Sequence, residues 1–200
     1  MLFDLHVHTT LSPCSQLRLD QILSQASERG LDGVCITDHN TMEIRNYVPE
    51  GILGNGLRVI FGMEYSTSGG DFLIFGPFED LPPGLPARIL LKHVDRTGGV
   101  AIAAHPFRSQ RPTDETLIKN EMCRIVEGVN GRNAHHENAS VLGWQKKYNI
   151  AQVGGSDAHS LDELGSAHTT FTTPIYTRTD LVNALKQGAF LQTIHSSIAA

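Results

Sequence analysis

The sequence predicts an α/β domain on a mostly parallel sheet. Apolar runs of strand length alternate with helical stripes along the 200 residues, and polar, chemistry-bearing side chains recur where those runs end. The composition agrees. A 40% apolar share can fill one core, whereas 18% charged and 6% aromatic residues exclude a disordered tail or a coiled coil. No linker, repeat or low-complexity stretch divides the chain.

Taken in order, Leu2 to His8 reads as a strand carrying Asp4, His6 and His8 on one face at period two. Leu19, Ile22, Leu23 and Ala26 form one helical stripe, stopped by Gly30. Val34 to Thr37 reads as a buried strand running into Asp38, His39 and Asn40. Leu57 to Phe61 is another strand, ending towards Glu64, and Phe72 to Phe75 a further short one. Pro86 starts a helix that Gly98 and Gly99 stop. Val100 to Ala104 leads to His105, Ile125 to Val129 towards Asn130, and Ile150 to Val153 towards Gly155 and Asp157. Residues 135–148 and 180–187 read as helices, the second capped by Gly188. Phe190 to Ile194 reads as a last strand.

The formal net charge of −5 argues against a general nucleic-acid or membrane-surface binder. Cys14, Cys35 and Cys123 have no CxxC spacing and give no disulfide framework. No signal-peptide pattern opens the chain, and no run of about 18 apolar residues offers a spanning helix. The expectation is a soluble, cytoplasmic protein.

His8, His39, Glu64, His105 and Asp157 are each expected at the C-terminal end of a strand, the face where parallel barrels build active sites. Carboxylate oxygens with imidazole nitrogens suit zinc, manganese or iron, and a multinuclear site needs carboxylates able to bridge. Adjacent His135 and His136 point about 100° apart on a helix and read as surface or helix-start residues, and His93, His168 and His195 likewise read as carrying no site role. Cys35 and Cys123 read as small core residues.

The segments Asp4 to Thr9, Ile36 to Asn40, Gly62 to Glu64, Ala104 to Phe107 and Ser156 to His159 resemble, in order, the motifs of the polymerase and histidinol phosphatase (PHP) superfamily. Segments 127–132, 155–159 and 163–165 resemble its small stand-alone members. The resemblance implies a single metallohydrolase domain over residues 1–200, with a distorted TIM-like (β/α)7 barrel and two or three divalent ions. By the same match, His6, His8, Glu64 and Asp157 hold a first ion. Glu64 bridges to a second at His105, and His39 and His159 belong to a third.

Two positions depart from the family pattern. Cys14 stands where Asp or His is usual, and reads as a thiolate ligand or a free cysteine. Asp71 stands where small members often carry His, and reads as a turn residue before a ligand or substrate contact. The segment 127–130 offers neither Cys nor His to complete the second ion.

The activity so implied is phosphoester hydrolysis by metal-activated hydroxide, with catalytic roles for Glu64, Asp157 and His159. Arg108, Asn130 and Arg132 are expected to bind substrate, ahead of Arg18, Arg45 and Arg111. The expected partner is a small phosphorylated metabolite or nucleotide. Nucleic acid is set aside beyond a short oligonucleotide or dinucleotide. Hydrolysis of an amide or cyclic ester, or a non-catalytic metal-stabilised binding domain, are the alternatives.

Overall fold

A computed structural model describes residues 1–191. The chain runs through β1 (Leu2–Val7), α1 (Leu19–Gln25), β2 (Gly33–Ile36), β3 (Gly51–Ile52) and β4 (Arg58–Phe61). Next come β5 (Met63–Thr67), β6 (Gly70–Phe75), α2 (Ala87–Arg96), β7 (Val100–Ala103) and α3 (Glu115–Lys119). It ends with β8 (Ile125–Asn130), α4 (His135–Lys147), β9 (Ala151–Gly155), β10 (Thr169–Thr170) and α5 (Arg178–Gln187). Gly188 closes α5 with φ of 68°, a left-handed conformation that suits glycine. Of the expected last strand, Phe190 makes an isolated bridge to Phe171, while residues 192–194 lie outside the described residues, as does His195.

The strands form two five-stranded sheets, ordered β10-β1-β2-β4-β3 and β5-β6-β7-β8-β9. The mostly parallel sheet is corrected here, because parallel and antiparallel pairings are equally numerous. The main cause is a hairpin absent from the sequence reading. Two turn residues, Ser68 and Gly69, join β5 to β6, and so short a loop permits only antiparallel pairing. Nor do the two sheets make a closed barrel. Isolated parallel bridges link them at Val7 with Ala158 and at His39 with Glu64, and the cylinder is not completed by ladders.

One apolar cluster draws on both sheets, through Phe3, Leu5, Cys35 and Ile60 from one and Leu73, Ile102 and Val153 from the other. Leu181 and Leu185 of α5 join it. A second cluster packs Ile22 of α1, Leu90 of α2 and Trp144 of α4 against Val59, Ile74 and Val126 of the sheets. Cys35 and Cys123 are buried as expected. Among the described residues no helix is long and apolar enough to cross a membrane.

Candidate metal centre

His6 and His8 leave β1 pointing into the same space, as their alternation predicts. Asp4 does not join them. Its carboxylate accepts from the backbone N–H groups of Ser156 at 2.9 Å and Gly165 at 2.9 Å, tying β1 to the loop after β9. His39 and Glu64 meet at the seam between the sheets. Glu64 lies inside β5 rather than at a strand end, and β-pairing sets Ser66 opposite Asp71. Residues two apart on a strand share a face, so Glu64 and Asp71 come to one side of the hairpin.

His105 and Asp157 follow β7 and β9 with φ of 31° and 56°. Non-glycine residues seldom adopt this region, and each instance costs about 1–3 kcal/mol and persists only because its surroundings enforce it. Asn40, next to His39, has φ of 54°. Strain is thus concentrated where the chain turns side chains towards the centre.

Three groups of side chains could each hold an ion: His6, His8, Glu64 and Asp157; His8, His39 and His159; and Glu64, Asp71 and His105. Glu64 belongs to two of them. Its Oε2 lies 3.4 Å from His6 Nε2, 3.2 Å from His8 Nε2 and 2.9 Å from His39 Nδ1, while Oε1 lies 2.8 Å from His105 Nε2. Asp157 Oδ1 is 3.5 Å from His6 Nε2 and 3.3 Å from His8 Nε2.

Hydrogen-bond direction settles which nitrogens are bare. Glu127 accepts from the His105 N–H and from Asn130, and its Oε1 likewise accepts from His6 Nδ1–H at 2.8 Å, so Nε2 faces the centre. Ser12 donates its hydroxyl proton to Asp38 at 2.6 Å, so it accepts from His8 Nδ1–H at 3.2 Å. His8 Nε2 is then bare as well. His159 Nδ1 lies 2.8 Å from the Asp157 carbonyl and 3.0 Å from Arg132 Nη1, so neither tautomer is singled out, and its Nε2 faces Cys14 Sγ at 3.2 Å.

Buried polar atoms are nearly always hydrogen-bonded. Here His6 Nε2, His8 Nε2, His39 Nδ1 and Glu64 Oε2 are buried without such a partner, and all converge on one point. Bare imidazole lone pairs around carboxylates fit divalent cations. The electrostatics agree. Burial alone would raise the Glu64 and Asp157 carboxyls, but the histidines beside them hold both well below the usual carboxylate range. Burial, then nearby His8, pulls the His159 imidazole down to about 4, which keeps it a neutral donor above that pH.

Several expected roles change in place. Asp71 is not a turn residue: it is buried in β6, with Oδ2 3.9 Å from His105 Nε2 and Oδ1 accepting from Arg111 at 2.7 Å. It stands where the segment 127–130 offers the second group no Cys or His. Cys14 is exposed and lies beside His159. Arg108 donates to Asp157 at 2.7 Å and to Asn130 at 2.9 Å, and Arg132 reaches Glu163 at 3.2 Å. Asn130 in turn donates to Glu127 at 2.8 Å. Exposed His93, His135, His136 and His168 lie outside all three groups.

The residue that sequence reasoning missed most plainly is Glu127. It is fully buried, and besides His6 and Asn130 it accepts the backbone N–H of His105 at 2.7 Å. The available signal was a lone acid inside the apolar run 125–129. Gly155 makes room for it, since a Cβ there would lie 2.7 Å from both Glu127 Oε1 and His6 Cβ. Gly155→Ala is therefore expected to destabilise the fold by about 1–3 kcal/mol, read as a lowered Tm. An unchanged Tm would show that this packing has slack.

Residues 4–156 match the PHP domain family and residues 135–190 a PHP-associated family. The protein MJ1587 of Methanocaldococcus jannaschii is 33% identical over 150 residues, covering 69% of this chain and 85% of that one. A two-domain Bacteroides vulgatus protein containing a predicted PHP-like metal-dependent phosphoesterase shares the fold. Its TM-score is 0.71 at 16% identity, over 98% of this chain and 65% of that one. Endonuclease Q, in complex with a 27-mer duplex bearing an abasic lesion at the active site, has a TM-score of 0.67 at 16% identity, over 94% of this chain and 57% of its own.

That complex corrects the expectation that set nucleic acid aside: a protein that shares this fold over 57% of its length takes duplex DNA at its active site. A net charge averaged over a whole chain carries no information about the field at one mouth. With five ordered motifs, a convergent ligand set and a family match over most of its length, the chain belongs to the PHP domain family.

Proposed function

We propose that this protein is a metal-dependent phosphoesterase whose centre is built on Glu64. The observation that carries the reading is the convergence of bare, buried His6, His8 and His39 nitrogens on Glu64 Oε2, with Asp157 beside them. His6, His8, Glu64 and Asp157 would hold a first ion, and Glu64, Asp71 and His105 a second. His8, His39 and His159, with Cys14 adjacent, would hold a third. When bound, such ions supply Lewis acidity and lower the pKa of water towards about 7.

The chain's own residues do the rest. Glu127 and Ser12 hold protons on the outer nitrogens of His6 and His8, so the inner ones stay bare. Arg108 fixes Asp157 and, with Arg132, brings positive charge to an incoming phosphate. Glu64 and Asp157 stay anionic and cannot donate a proton. When it holds no ion, neutral His159, whose Nδ1 lies 2.8 Å from the Asp157 carbonyl and 3.0 Å from Arg132 Nη1, is the imidazole placed to accept one.

The test is phosphate release from phosphomonoesters, 5′-nucleotides and dinucleotides, and strand cleavage of DNA with and without an abasic site. Manganese or zinc is added, with a chelator control and metal analysis of the purified protein. Chelator-sensitive turnover of one group supports the reading and names the substrate class. Stoichiometric metal without turnover would overturn phosphoester hydrolysis, and absence of bound metal would overturn the centre itself.

A further inference from the structure

The three ligand groups differ in charge. Two of them contain a pair of carboxylates each, whereas His8, His39 and His159 form a group of imidazoles alone. That group is also short of donors. The free lone pair of fully buried His8 is on Nε2, because its Nδ1–H is given to Ser12. The same Nε2 lies 3.2 Å from Glu64 Oε2 and 3.3 Å from Asp157 Oδ1, both of the first group. One lone pair serves one ion. When His8 serves the first, two neutral imidazoles remain for the other, with His39 Nδ1 buried and without a hydrogen-bond partner. Catalytic zinc sites use three protein donors and keep a fourth position open.

Cys14 supplies what this group lacks. Its Sγ lies 3.2 Å from His159 Nε2, and donors sharing one tetrahedral ion lie about 3.5 Å apart. The loop that carries it is fixed on both sides. Before it, the Ser12 hydroxyl donates to Asp38 at 2.6 Å. After it, the Ser15 hydroxyl reaches the carbonyls of His8 at 3.1 Å and His159 at 3.2 Å, and the Gln16 N–H donates to the His159 carbonyl at 2.9 Å. The thiol is thus tied to the backbone of two of the three histidines. Cys35 and Cys123 are packed instead in the apolar clusters.

We infer that Cys14 is the anionic ligand of the ion held by His39 and His159, and that its sulfur makes this position select zinc over manganese. The inference rests on the metal centre proposed above and adds a donor to it. As the ion binds, the thiol proton passes to solvent and the ligand is the thiolate. Thiolate sulfur suits zinc, whereas carboxylate oxygen suits manganese, so the preference belongs to the group without carboxylates.

Cobalt(II) is loaded as the probe into the full chain of wild type, Cys14→Ser and Cys14→Asp, and the near-ultraviolet thiolate-to-cobalt charge-transfer band is read. In parallel, each protein is dialysed against equal concentrations of zinc and manganese and its metals are counted by elemental analysis. Circular dichroism verifies folding. The wild type is expected to show the band. Cys14→Ser should lose it and bind zinc at this position more weakly by about tenfold or more. Cys14→Asp should recover the ion without the band, with manganese replacing part of the zinc. Cobalt bound without the band in the wild type, or one zinc-to-manganese ratio shared by wild type and Cys14→Ser, would overturn the inference and leave the phosphoesterase reading intact. A Cys14-dependent band in a protein that turns over no phosphoester would do the reverse. A wild type that binds none of the three metals would overturn the centre and its thiolate ligand together.

Discussion

Glu64→Gln is expected to strip the centre of metal and abolish chelator-sensitive activity together. The substitution preserves volume, so packing around the buried side chain changes little. What it removes is the charge shared by two ligand groups and one of the oxygens facing His6, His8, His39 and His105. An outer partner of a metal ligand typically contributes about ten- to hundredfold in affinity. A bridging ligand lies one shell closer, so the loss should exceed that range. The check is metal equivalents per chain by elemental analysis after exhaustive dialysis, alongside circular dichroism to verify folding. A folded Glu64→Gln protein with wild-type metal content would overturn the idea that Glu64 organises the centre.

The contrast between Glu64 and Asp71 explains what was legible in the sequence. His6-x-His8 announces itself, because strand alternation brings residues two apart together without help from distant parts of the chain. Asp157 and His159 are legible for a similar reason, following glycines at a strand end. Asp71 is different. Its role depends on the β5–β6 hairpin pairing it with Ser66, on Arg111 arriving 40 residues later, and on His105 coming off β7. None of these contacts leaves a local pattern, and the flanking Gly69 and Gly70 signal only the turn.

Arg108 shows the converse limit. Its place on a loop after β7 was readable, but not its partners. A guanidinium next to a predicted ligand loop reads as a phosphate binder, whereas the contacts it makes are with Asp157, Asn130 and, at 3.0 Å, Asn133. The expected distorted (β/α)7 barrel was legible only as a mixed α/β fold of two sheets, for a related reason. Strand and helix patterns report which segments are extended, whereas closure depends on edge pairing. At both seams that pairing is reduced here to single bridges.

Glu127→Gln separates the holding of an ion from the orienting of its ligands. Both Glu127 oxygens are committed, Oε1 to His6 Nδ1–H and Oε2 to the N–H of His105 and the amide of Asn130. A glutamine replaces one acceptor with an NH2 donor. Aimed at the His105 N–H, it leaves two donors facing each other in a fully buried place, at a cost of about 1–3 kcal/mol. Aimed at His6, it reverses the bond, so that Nδ1 accepts and the proton moves to Nε2, where it blocks the lone pair the centre needs. Either arrangement should lower Tm by several degrees or weaken metal binding about ten- to hundredfold. Excess metal should then recover much of the Glu127→Gln activity, since every ligand of the centre is still present, and little of the Glu64→Gln activity. Equal failure of rescue in both variants would place Glu127 among the ligands. Wild-type metal affinity and Tm in Glu127→Gln would reduce its contact with His6 to packing.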